Sequence, residues 1–318
     1  MIQEKHIIEA AKIIQEGGLV AFPTETVYGL GANAFDPIAV AKIFAVKERP
    51  SFDPLIVHIA SIEDIKKVYN GDDDRIYKLA EKFWPGPLTM VLPKTDAVSD
   101  IVTSGLDTVG VRMPDNPIAL ELIKQAKTPL AAPSANKFGM ISPTEAGHVK
   151  RQLPGIFTID GGKTKVGIES TVVSINDYGF EILRPGFITS QDLQSVLPMS
   201  KITGQESQLK SPGLLKSHYS PKKPLYIIEN PCVGVKNQST AGLILFGEPD
   251  NLCNYAEVEI LSKTRNLTEA AANLFSALHR LDNSKVEYIV AKPVPETGIG
   301  IAIMDRLTKA SHQSNETS

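Results

Sequence analysis

Short apolar runs that end at proline or glycine alternate with segments of helical periodicity along most of the chain. Leu19 to Phe22 and Leu55 to Ile59 are typical of buried strands, whereas apolar residues recur at helical spacing from Ile7 to Ile14. Asp36-Pro37 places a capping acid before a proline, which predicts a helix start. Strands that alternate with helices in this way indicate an α/β fold.

A stretch of different composition interrupts this alternation. Residues 200–224 are rich in Gly, Ser, Gln and Lys and contain three prolines, which is typical of a linker. A chain of 318 residues is long enough for two domains of about 100–200 residues each. We therefore expect a first α/β domain over residues 1–200, a linker over 201–224, a small parallel α/β domain over 225–310 and a disordered tail over 311–318.

Two capping signals lie within the first domain. Ser61 with Asp64, and Ser142 with Glu145, match the pattern in which a hydroxyl and an acid three residues later cap a helix. Each pair predicts a helix start. Capping alone would account for Ser142 without any functional role.

Charge and hydropathy limit the classes of partner. The formal net charge is −3, whereas a protein that grips a nucleic-acid backbone usually has a basic excess. A local basic pocket for a small anion is compatible with this balance. The N-terminus lacks the pattern of a signal peptide, and no apolar stretch approaches the ~20 residues that span a bilayer. The sequence predicts a soluble, cytoplasmic protein without membrane contact.

The chain has two cysteines, Cys232 and Cys253, and their spacing matches no metal-binding pattern. Free cysteines are often simply buried, and the absence of a disulfide framework suits a reducing cytosol. We expect two buried structural thiols.

Residues Gly29 to Ala34 match the spacing G-x-G-x-x-A of a dinucleotide-binding turn. In that turn the glycines join a strand directly to a helix. Here six residues separate the glycines from the preceding strand, and the next helix has its own cap at Asp36. The match therefore does not indicate a nicotinamide cofactor.

Several loops that follow predicted strands carry cations and hydroxyl groups, including Lys47, Arg49, Arg112 and Arg184. Ligands of α/β sheets usually bind where strands end, and arginine and lysine suit phosphate or carboxylate. Each cation alone is more typical of a solvated loop, and a lone strand histidine such as His58 is more typical of a core. The chain has no Walker loop, kinase signature or nucleophile elbow. These patterns alone predict a two-domain α/β protein with a candidate nucleotide site.

Ten motifs follow one another along the chain in a recognisable order. They are Phe22–Gly31, Lys47–Pro50, Asp53–His58, Trp84–Thr89, Val111–Pro114, Ala132–Asn136, Glu169–Val172, Leu183–Gly186, Ser211–Pro221 and Gly298–Leu307. The first eight, over most of residues 8–200, resemble the threonylcarbamoyl-AMP synthase family. The last two resemble the linker and the end of the second domain in the long form of that family.

The resemblance implies both a fold and a reaction. The expected fold is a YrdC-like twisted open mixed sheet with helices, a linker, and a small Rossmann-like parallel α/β domain. Threonine would take up carbon dioxide from bicarbonate on its amino group, and the resulting carboxylate would attack the α-phosphorus of ATP. The products would be L-threonylcarbamoyladenylate and pyrophosphate. A downstream tRNA threonylcarbamoyl-transferase complex would then modify the adenosine beside the anticodon.

The resemblance also implies the site residues. No covalent nucleophile is expected, because the attacking carboxylate belongs to the substrate. The threonine-binding residues would be Thr26, His58, Arg112, Ala132 and Ser170. The ATP-binding residues would be Arg49, Asp53, Thr108, Ser134, Ser142, Arg184 and Tyr219, with Lys47, Asn136, Thr171 and His218 as further candidates.

Asp53 departs from the family pattern, which commonly has asparagine at this position. An acid facing a triphosphate is unfavourable unless a cation balances it. Magnesium would enter with ATP and bridge its phosphates, with no firm protein ligand assigned. The linker, with His218 and Tyr219, would fold over the site as a lid that excludes water.

Two other functions are compatible with parts of the pattern. A double-stranded RNA-binding module without catalysis would use a concave basic surface, which the net charge disfavours. Another ATP-dependent carbamoyl-transfer enzyme would carry additional zinc-finger-like and acylphosphatase-like domains, which this sequence does not contain. Weak or indirect RNA contact by a synthase remains compatible with the sequence.

Overall fold

The computed structural model describes residues 2–200, 218–249 and 253–315. The first 200 residues contribute a nine-stranded mixed sheet in the order β7-β1-β2-β6-β3-β5-β4-β8-β9. Its strands are β1 Val20–Phe22, β2 Gly29–Asn33, β3 Ile56–His58, β4 Leu88–Pro93, β5 Thr108–Arg112, β6 Leu130–Ala131, β7 Phe157–Thr158, β8 Thr171–Asn176 and β9 Gly179–Arg184. The helices of this part are α1 Ile2–Gln15, α2 Pro37–Lys47, α3 Asp74–Phe83, α4 Asp100–Thr103, α5 Pro117–Ala126, α6 Ala146–Gln152 and α7 Ser190–Gln194.

Helices cover both faces of this sheet. On one face, α2 and α3 pack into a core with Leu30, Val57 and Val111. On the other, α1 and α5 pack against Phe22 and Leu130. The sheet contains both parallel and antiparallel pairs, so the expected mixed α/β fold is confirmed.

Local signals account for several helix boundaries. The Asp36 carboxylate accepts hydrogen bonds from the backbone N–H groups of Ile38 and Ala39, as expected of an N-cap before proline. Asn116 caps α5 in the same way, again before a proline. Glu48 ends α2 in a left-handed conformation, and its backbone N–H bonds the last turn of the helix.

A second sheet lies after the predicted linker. Its four strands are all parallel, in the order β10-β13-β11-β12. They are β10 Leu225–Ile227, β11 Ala241–Leu245, β12 Glu257–Ile260 and β13 Tyr288–Ala291. Helix α8, Leu267–Asn283, lies between β12 and β13 in the chain, and α9, Gly300–Asn315, follows β13. The small parallel α/β domain is therefore confirmed, and α8 and α9 pack in one core with β10, β11 and β13.

Neither predicted capping box forms its hydrogen bonds, although a helical turn does begin after Ser61. Ser61 makes no capping hydrogen bond, and a short 3₁₀ helix rather than an α-helix follows it. The helix after Ser142 begins only at Ala146, and Glu145 precedes it without a side-chain cap. The Ser142 hydroxyl instead donates to the Glu169 carboxylate at 2.5 Å, so a long-range partner takes the group that a local cap would have used.

Three further expectations need correction or fall outside the structure. The cysteines are not buried free thiols, because Cys232 is exposed and forms a disulfide with Cys253. This bond joins the segment after β10 to the segment before β12. The expected disordered tail starts too early, since α9 continues to Asn315. Residues 201–217 of the predicted linker and 316–318 of the tail lie outside the described residues.

The two parts of the chain share a hydrophobic core. Val27 and Ile168 of the first part pack in one cluster with Phe275 of α8. Gly167 lies at a positive φ of 76°, and a Cβ there would stand 2.5 Å from the Ala272 Cα. The second domain is therefore packed too closely at this position for any larger residue. No helix among the described residues is long and apolar enough to cross a membrane.

Two buried histidines stack across this interface. The ring centroids of His148, on α6, and His279, on α8, are 3.7 Å apart. Burial lowers the pKa of His148 to about 3 and that of His279 to about 4, so both are neutral at pH 7. The interface is thus built from uncharged imidazoles.

Lowering the pH from 7 to 5 should destabilise the protein through this pair. Below pH 6.5 the unfolded chain binds protons that the folded chain does not, so stability is lost as the pH falls from 6.5 towards 4. At pH 5 the loss is at most about 2 kcal/mol per histidine. Urea unfolding at both pH values measures it.

A variant with His148→Gln and His279→Gln should lose less stability on acidification than the unmodified protein. His6→Gln, at an exposed histidine of α1, provides the control and should lose as much stability on acidification as the unmodified protein. If the double variant and the unmodified protein lose the same stability between pH 7 and pH 5, the prediction is contradicted.

Candidate active site

One cavity gathers the polar loops of the first domain. Its walls come from the turn after β1, the ends of β3, β5 and β9, the loop after β6 and the segment before β8, with residues 218 and 219 across its mouth. Most of the predicted site residues line it: Thr26, Arg49, His58, Arg112, Ala132, Ser134, Ser170, Arg184, His218 and Tyr219.

Three other predicted residues shape this cavity from behind. Lys47 is almost fully buried, and its ammonium group donates to the Ser134 carbonyl at 2.7 Å and to the Asn136 carbonyl. The Asn136 amide donates to the carbonyls of Lys137 and Met140. The Thr171 hydroxyl donates to the Ile188 carbonyl. These contacts hold the loop after β6 and the start of β8 in place.

Thr108 lies apart from the other predicted residues. It begins β5, whereas Arg112 ends the same strand at the cavity. Four residues of extended chain separate the two Cα atoms by about 13 Å. A nucleotide contact by Thr108 therefore stays a prediction.

Arg112 forms a buried ion pair with Glu25. Its Nη2 donates to Glu25 Oε1 at 2.6 Å, and both side chains are about 5% exposed or less. Arg112 Nε and Glu25 Oε2 have no hydrogen-bond partner among the described residues. The guanidinium is thus fixed in the cavity wall, and its Nε–H can still donate a hydrogen bond to a ligand.

Arg49 and Asp53 form a second buried pair. The Arg49 Nη2 lies 2.9 Å from Asp53 Oδ2, but the guanidinium N–H groups point at the carbonyl oxygens of Asp53 and Pro54. Burial raises the pKa of Asp53, and the charge of Arg49 opposes that shift. The acid at this position is therefore balanced by an arginine, as its charge requires.

Glu169 is a cavity residue that sequence reasoning did not select. Its Oε1 accepts from Ser142 at 2.5 Å and its Oε2 accepts from Arg306 Nε at 3.0 Å. Burial raises the pKa of Glu169, but the positive charges of Arg306 and Arg184 outweigh this and keep it below the usual value. Ser142 therefore reaches the site through Glu169 rather than by lining the cavity.

Arg184 and Ser170 lie next to each other in the same wall. The Arg184 guanidinium donates to the Ser170 carbonyl from Nε at 3.2 Å and from Nη2 at 3.0 Å. The Ser170 hydroxyl in turn bonds Thr89 of β4 at 2.8 Å. The end of β9 is thereby tied to the start of β8.

His58 is buried and neutral in the opposite wall. Burial, with the nearby charge of Arg112, lowers the pKa of His58 to about 3. Its Nδ1 lies 3.2 Å from the Ile56 carbonyl. This histidine can offer hydrogen bonds and shape but does not carry charge at neutral pH.

Tyr219 covers the cavity and links it to the second domain. Its ring centroid lies 5.5 Å from that of Phe275 and 5.4 Å from the Arg306 guanidinium carbon. The free volume beneath it is about 60 Å³. That is room for about four water molecules, far less than a nucleoside triphosphate needs. A nucleotide therefore needs more room than the space directly beneath Tyr219 provides.

Positive charge dominates the site. The buried cations are Lys47, Arg49, Arg112, Arg184 and Arg306, and the buried carboxylates are Glu25, Asp53 and Glu169. The cations outnumber the acids in a low-dielectric environment, where an anionic ligand is strongly favoured. This balance suits a phosphate-bearing ligand together with a carboxylate.

The cavity has no preformed metal cage. No group of three or more histidines, cysteines or acids that could hold a metal occurs in the described part of the chain. Asp53 is the acid placed beside Arg49, whereas Glu25 and Glu169 are each hydrogen-bonded to an arginine elsewhere in the wall. A cation brought in by a polyphosphate would find at most one carboxylate there, which is how Mg²⁺ commonly binds with nucleotides.

Two protein-family models match the chain. The Sua5, YciO and YrdC model, described as telomere recombination, matches residues 12–186. A model described as the threonylcarbamoyl-AMP synthase C-terminal domain matches residues 188–312.

Similar proteins match over nearly the whole length. A threonylcarbamoyl-AMP synthase of Pyrococcus abyssi is 42% identical, with 98% of this chain and 95% of that protein covered. One of Bacillus subtilis is also 42% identical, with 97% and 93% covered. A crystal structure of P. abyssi Sua5 complexed with L-threonine superposes with a TM-score of 0.85 at 41% identity, covering 96% of this chain and 94% of that one.

Proposed function

Because the chain belongs to the threonylcarbamoyl-AMP synthase family, we infer that it condenses L-threonine, bicarbonate and ATP to L-threonylcarbamoyladenylate and pyrophosphate. It is a nucleotidyltransferase that serves threonylcarbamoyladenosine modification of tRNA. The rival interpretation as an RNA-binding module gains no support from these comparisons.

The observation that carries this proposal is the covered, cation-rich cavity with Arg112 in its wall. Arginine matches a carboxylate with its planar fork, and Arg112 keeps an N–H group without a partner among the described residues. We assign the threonine carboxylate to Arg112. Thr26, His58, Ser170 and the backbone at Ala132 surround the place where the rest of the amino acid would lie.

The nucleotide would occupy the side of the cavity that holds Arg49, Ser134 and Arg184. The two guanidinium groups would neutralise phosphate oxygens, and the serine would add a hydroxyl donor. Asp53, Lys47 and Asn136 support this side from behind. Tyr219 and His218 would then rest against the bound nucleotide.

Catalysis follows from position and charge in this proposal. The carboxylate formed on the threonine amino group attacks the α-phosphorus, and pyrophosphate leaves. The protein needs no covalent nucleophile; it must align the two substrates and stabilise negative charge on the phosphates. Closure by Tyr219 keeps water away from a mixed anhydride that would otherwise hydrolyse.

Magnesium would enter as MgATP, and Asp53, which pairs with Arg49, is the carboxylate on the proposed phosphate side that would hold it. When bound, the ion neutralises phosphate charge. We further propose that the product passes to a tRNA threonylcarbamoyl-transferase complex, which places the enzyme in the cytoplasm.

The test is pyrophosphate release from ATP, Mg²⁺, bicarbonate and labelled threonine. We expect release that requires both threonine and bicarbonate, with serine a poor replacement. Omission of each substrate in turn provides the controls. ATP hydrolysis that ignores threonine, or no turnover, would refute the proposed reaction.

Asp53→Asn should bind ATP more tightly when Mg²⁺ is absent. The Asp53 carboxylate lies 2.9 Å from Arg49 and competes with phosphate for that cation. Its removal should lower the Kd for ATP about tenfold, which corresponds to ~1.4 kcal/mol. Titration calorimetry in EDTA measures this. The control is Asp73→Asn, which breaks a partly exposed ion pair with Arg75; a Kd that is unchanged or higher in Asp53→Asn would contradict the prediction.

A further inference from the structure

A second, smaller cavity lies where α6 of the first domain meets α8 of the second. Its free volume is about 50 Å³, and its lining includes two histidines and two cations, which are His148, His279, Arg151 and Lys222. Ser142 connects it to the active site, because the Ser142 carbonyl bonds His279 at 3.1 Å while its hydroxyl bonds Glu169. Nothing in the proposed reaction uses this cavity.

The hydrogen bonds of the two histidines fix their tautomers. The Thr144 backbone N–H donates to His148 Nδ1 at 3.2 Å, so the proton of His148 lies on Nε2. The Ser142 carbonyl can only accept, so His279 carries its proton on Nε2. Among the described residues, no partner accepts the His148 Nε2–H. His148, which lines the cavity, therefore carries an N–H donor that has no hydrogen bond within the described part of the chain.

Two cations complete the surroundings of this donor. Arg151 follows His148 by three residues on α6, and Lys222 lies on the segment after Tyr219. Neither side chain forms an ion pair or a hydrogen bond within the ranges that the structure describes. The acid of the cavity, Asp282, already accepts from the backbone N–H of Lys223. Lys163 and Arg280 add positive charge nearby.

We propose that this interdomain cavity binds a small oxyanion of the size of orthophosphate, held by His148, Arg151 and Lys222. A volume of about 50 Å³ holds roughly three or four water-sized groups, which suits a tetrahedral oxyanion and excludes a nucleotide. Arg151 and Lys222 can each form charge-assisted hydrogen bonds with an oxyanion, and Arg151 can do so through its planar fork.

Binding there would join three parts of the molecule. His148 and Arg151 belong to the first domain, His279 belongs to the second, and Lys222 follows Tyr219 by three residues. An anion held by His148, Arg151 and Lys222, beside the stacked ring of His279, favours the packed arrangement in which Tyr219 covers the active site. The released pyrophosphate, after hydrolysis to phosphate, is one source of such an anion.

The test uses inorganic phosphate as the probe and sodium chloride at matched ionic strength as the reference. We expect a saturable rise in the thermal midpoint of the full-length protein. Arg151→Ala and Lys222→Ala should each weaken the apparent Kd at least about tenfold, as the loss of a charged hydrogen bond predicts. Arg151, Lys222 and Lys150 are all exposed, but Lys150 does not line the cavity, so Lys150→Ala removes the same charge from the neighbouring position of α6 and should change the Kd less than about twofold.

Histidine ring signals in NMR locate the bound phosphate, with His148→Gln used to assign its resonance. We expect phosphate to shift the signals of His148 and His279 and to leave those of His58 and His218 in place. The opposite pattern would place the anion in the active site and overturn the proposal. Equal effects of Lys150→Ala and Arg151→Ala, or no saturable stabilisation, would overturn it as well.

Discussion

Arg112→Ala should lower threonine-dependent pyrophosphate formation by about 10²–10³-fold. Loss of a buried, charged hydrogen-bond partner of a substrate carboxylate commonly costs 2–5 kcal/mol or more. The KM for threonine should rise more than the KM for ATP, because Arg112 lies on the proposed amino-acid side of the cavity. Steady-state kinetics with each substrate varied in turn measures both.

The same substitution should also destabilise the fold, because Glu25 would remain buried without its cation. Breaking such a pair costs about 3–5 kcal/mol. Combining Arg112→Met with Glu25→Leu removes both charges and should recover most of that stability. The double variant should still lack threonine-dependent turnover, which separates the folding effect from the recognition effect.

A threonine KM that stays unchanged in any folded Arg112 variant would contradict this assignment. Arg75→Ala provides the control, since the Arg75–Asp73 ion pair is partly exposed and neither residue lines the cavity. We expect that variant to match the unmodified protein in both turnover and KM.

Arg306→Ala should be the most damaging substitution in the second domain. Arg306 is fully buried and donates to Glu169 at 3.0 Å and to the Pro185 carbonyl at 2.7 Å. Its removal deprives Glu169 of its ion-pair partner and takes the cation away from the Tyr219 ring. We expect a loss of about 3–5 kcal/mol in the free energy of unfolding.

Activity should fall as well, at temperatures where the Arg306→Ala variant is still folded. Glu169 and Tyr219 both line the active-site cavity, and Arg306 contacts each of them. The matched control is Arg280→Ala on α8, because its pair with Glu259 is half exposed. Such surface pairs contribute about 0–1 kcal/mol. A loss for Arg306→Ala as small as that of Arg280→Ala would contradict the prediction.

Local sequence signals predicted most elements because their causes are local. These signals act within a few residues. Examples are the capping acid before Pro37, the apolar run of β3 and the alternation of strand and helix patterns in the second domain. The strand β2 was missed because Gly29 and Gly31 have low strand propensity. Packing requires the glycine at position 31, since a Cβ there would lie 2.7 Å from the Phe22 ring. That contact cannot be read from neighbouring residues.

The predicted site depended on the resemblance to a family, and its supporting residues were missed. Arg112 pairs with Glu25 across 87 positions of sequence, and Arg306 pairs with Glu169 across 137. No spacing rule connects residues so far apart. A weak signal existed in both cases: each acid lies inside a motif next to a residue already selected, namely Thr26 and Ser170. Adjacent acids in cation-rich motifs are therefore worth testing as counter-ions.

The shared hydrophobic core, and not the chain connection between residues 200 and 218, holds the two domains together. Val27 and Ile168 pack with Phe275, and Gly167 lies against the backbone of α8. If the protein is produced as two polypeptides, the first ending and the second beginning between residues 200 and 218, the two should therefore associate and re-form the active-site cavity. The chain connection would then set the local concentration of the covering tyrosine rather than the existence of the complex.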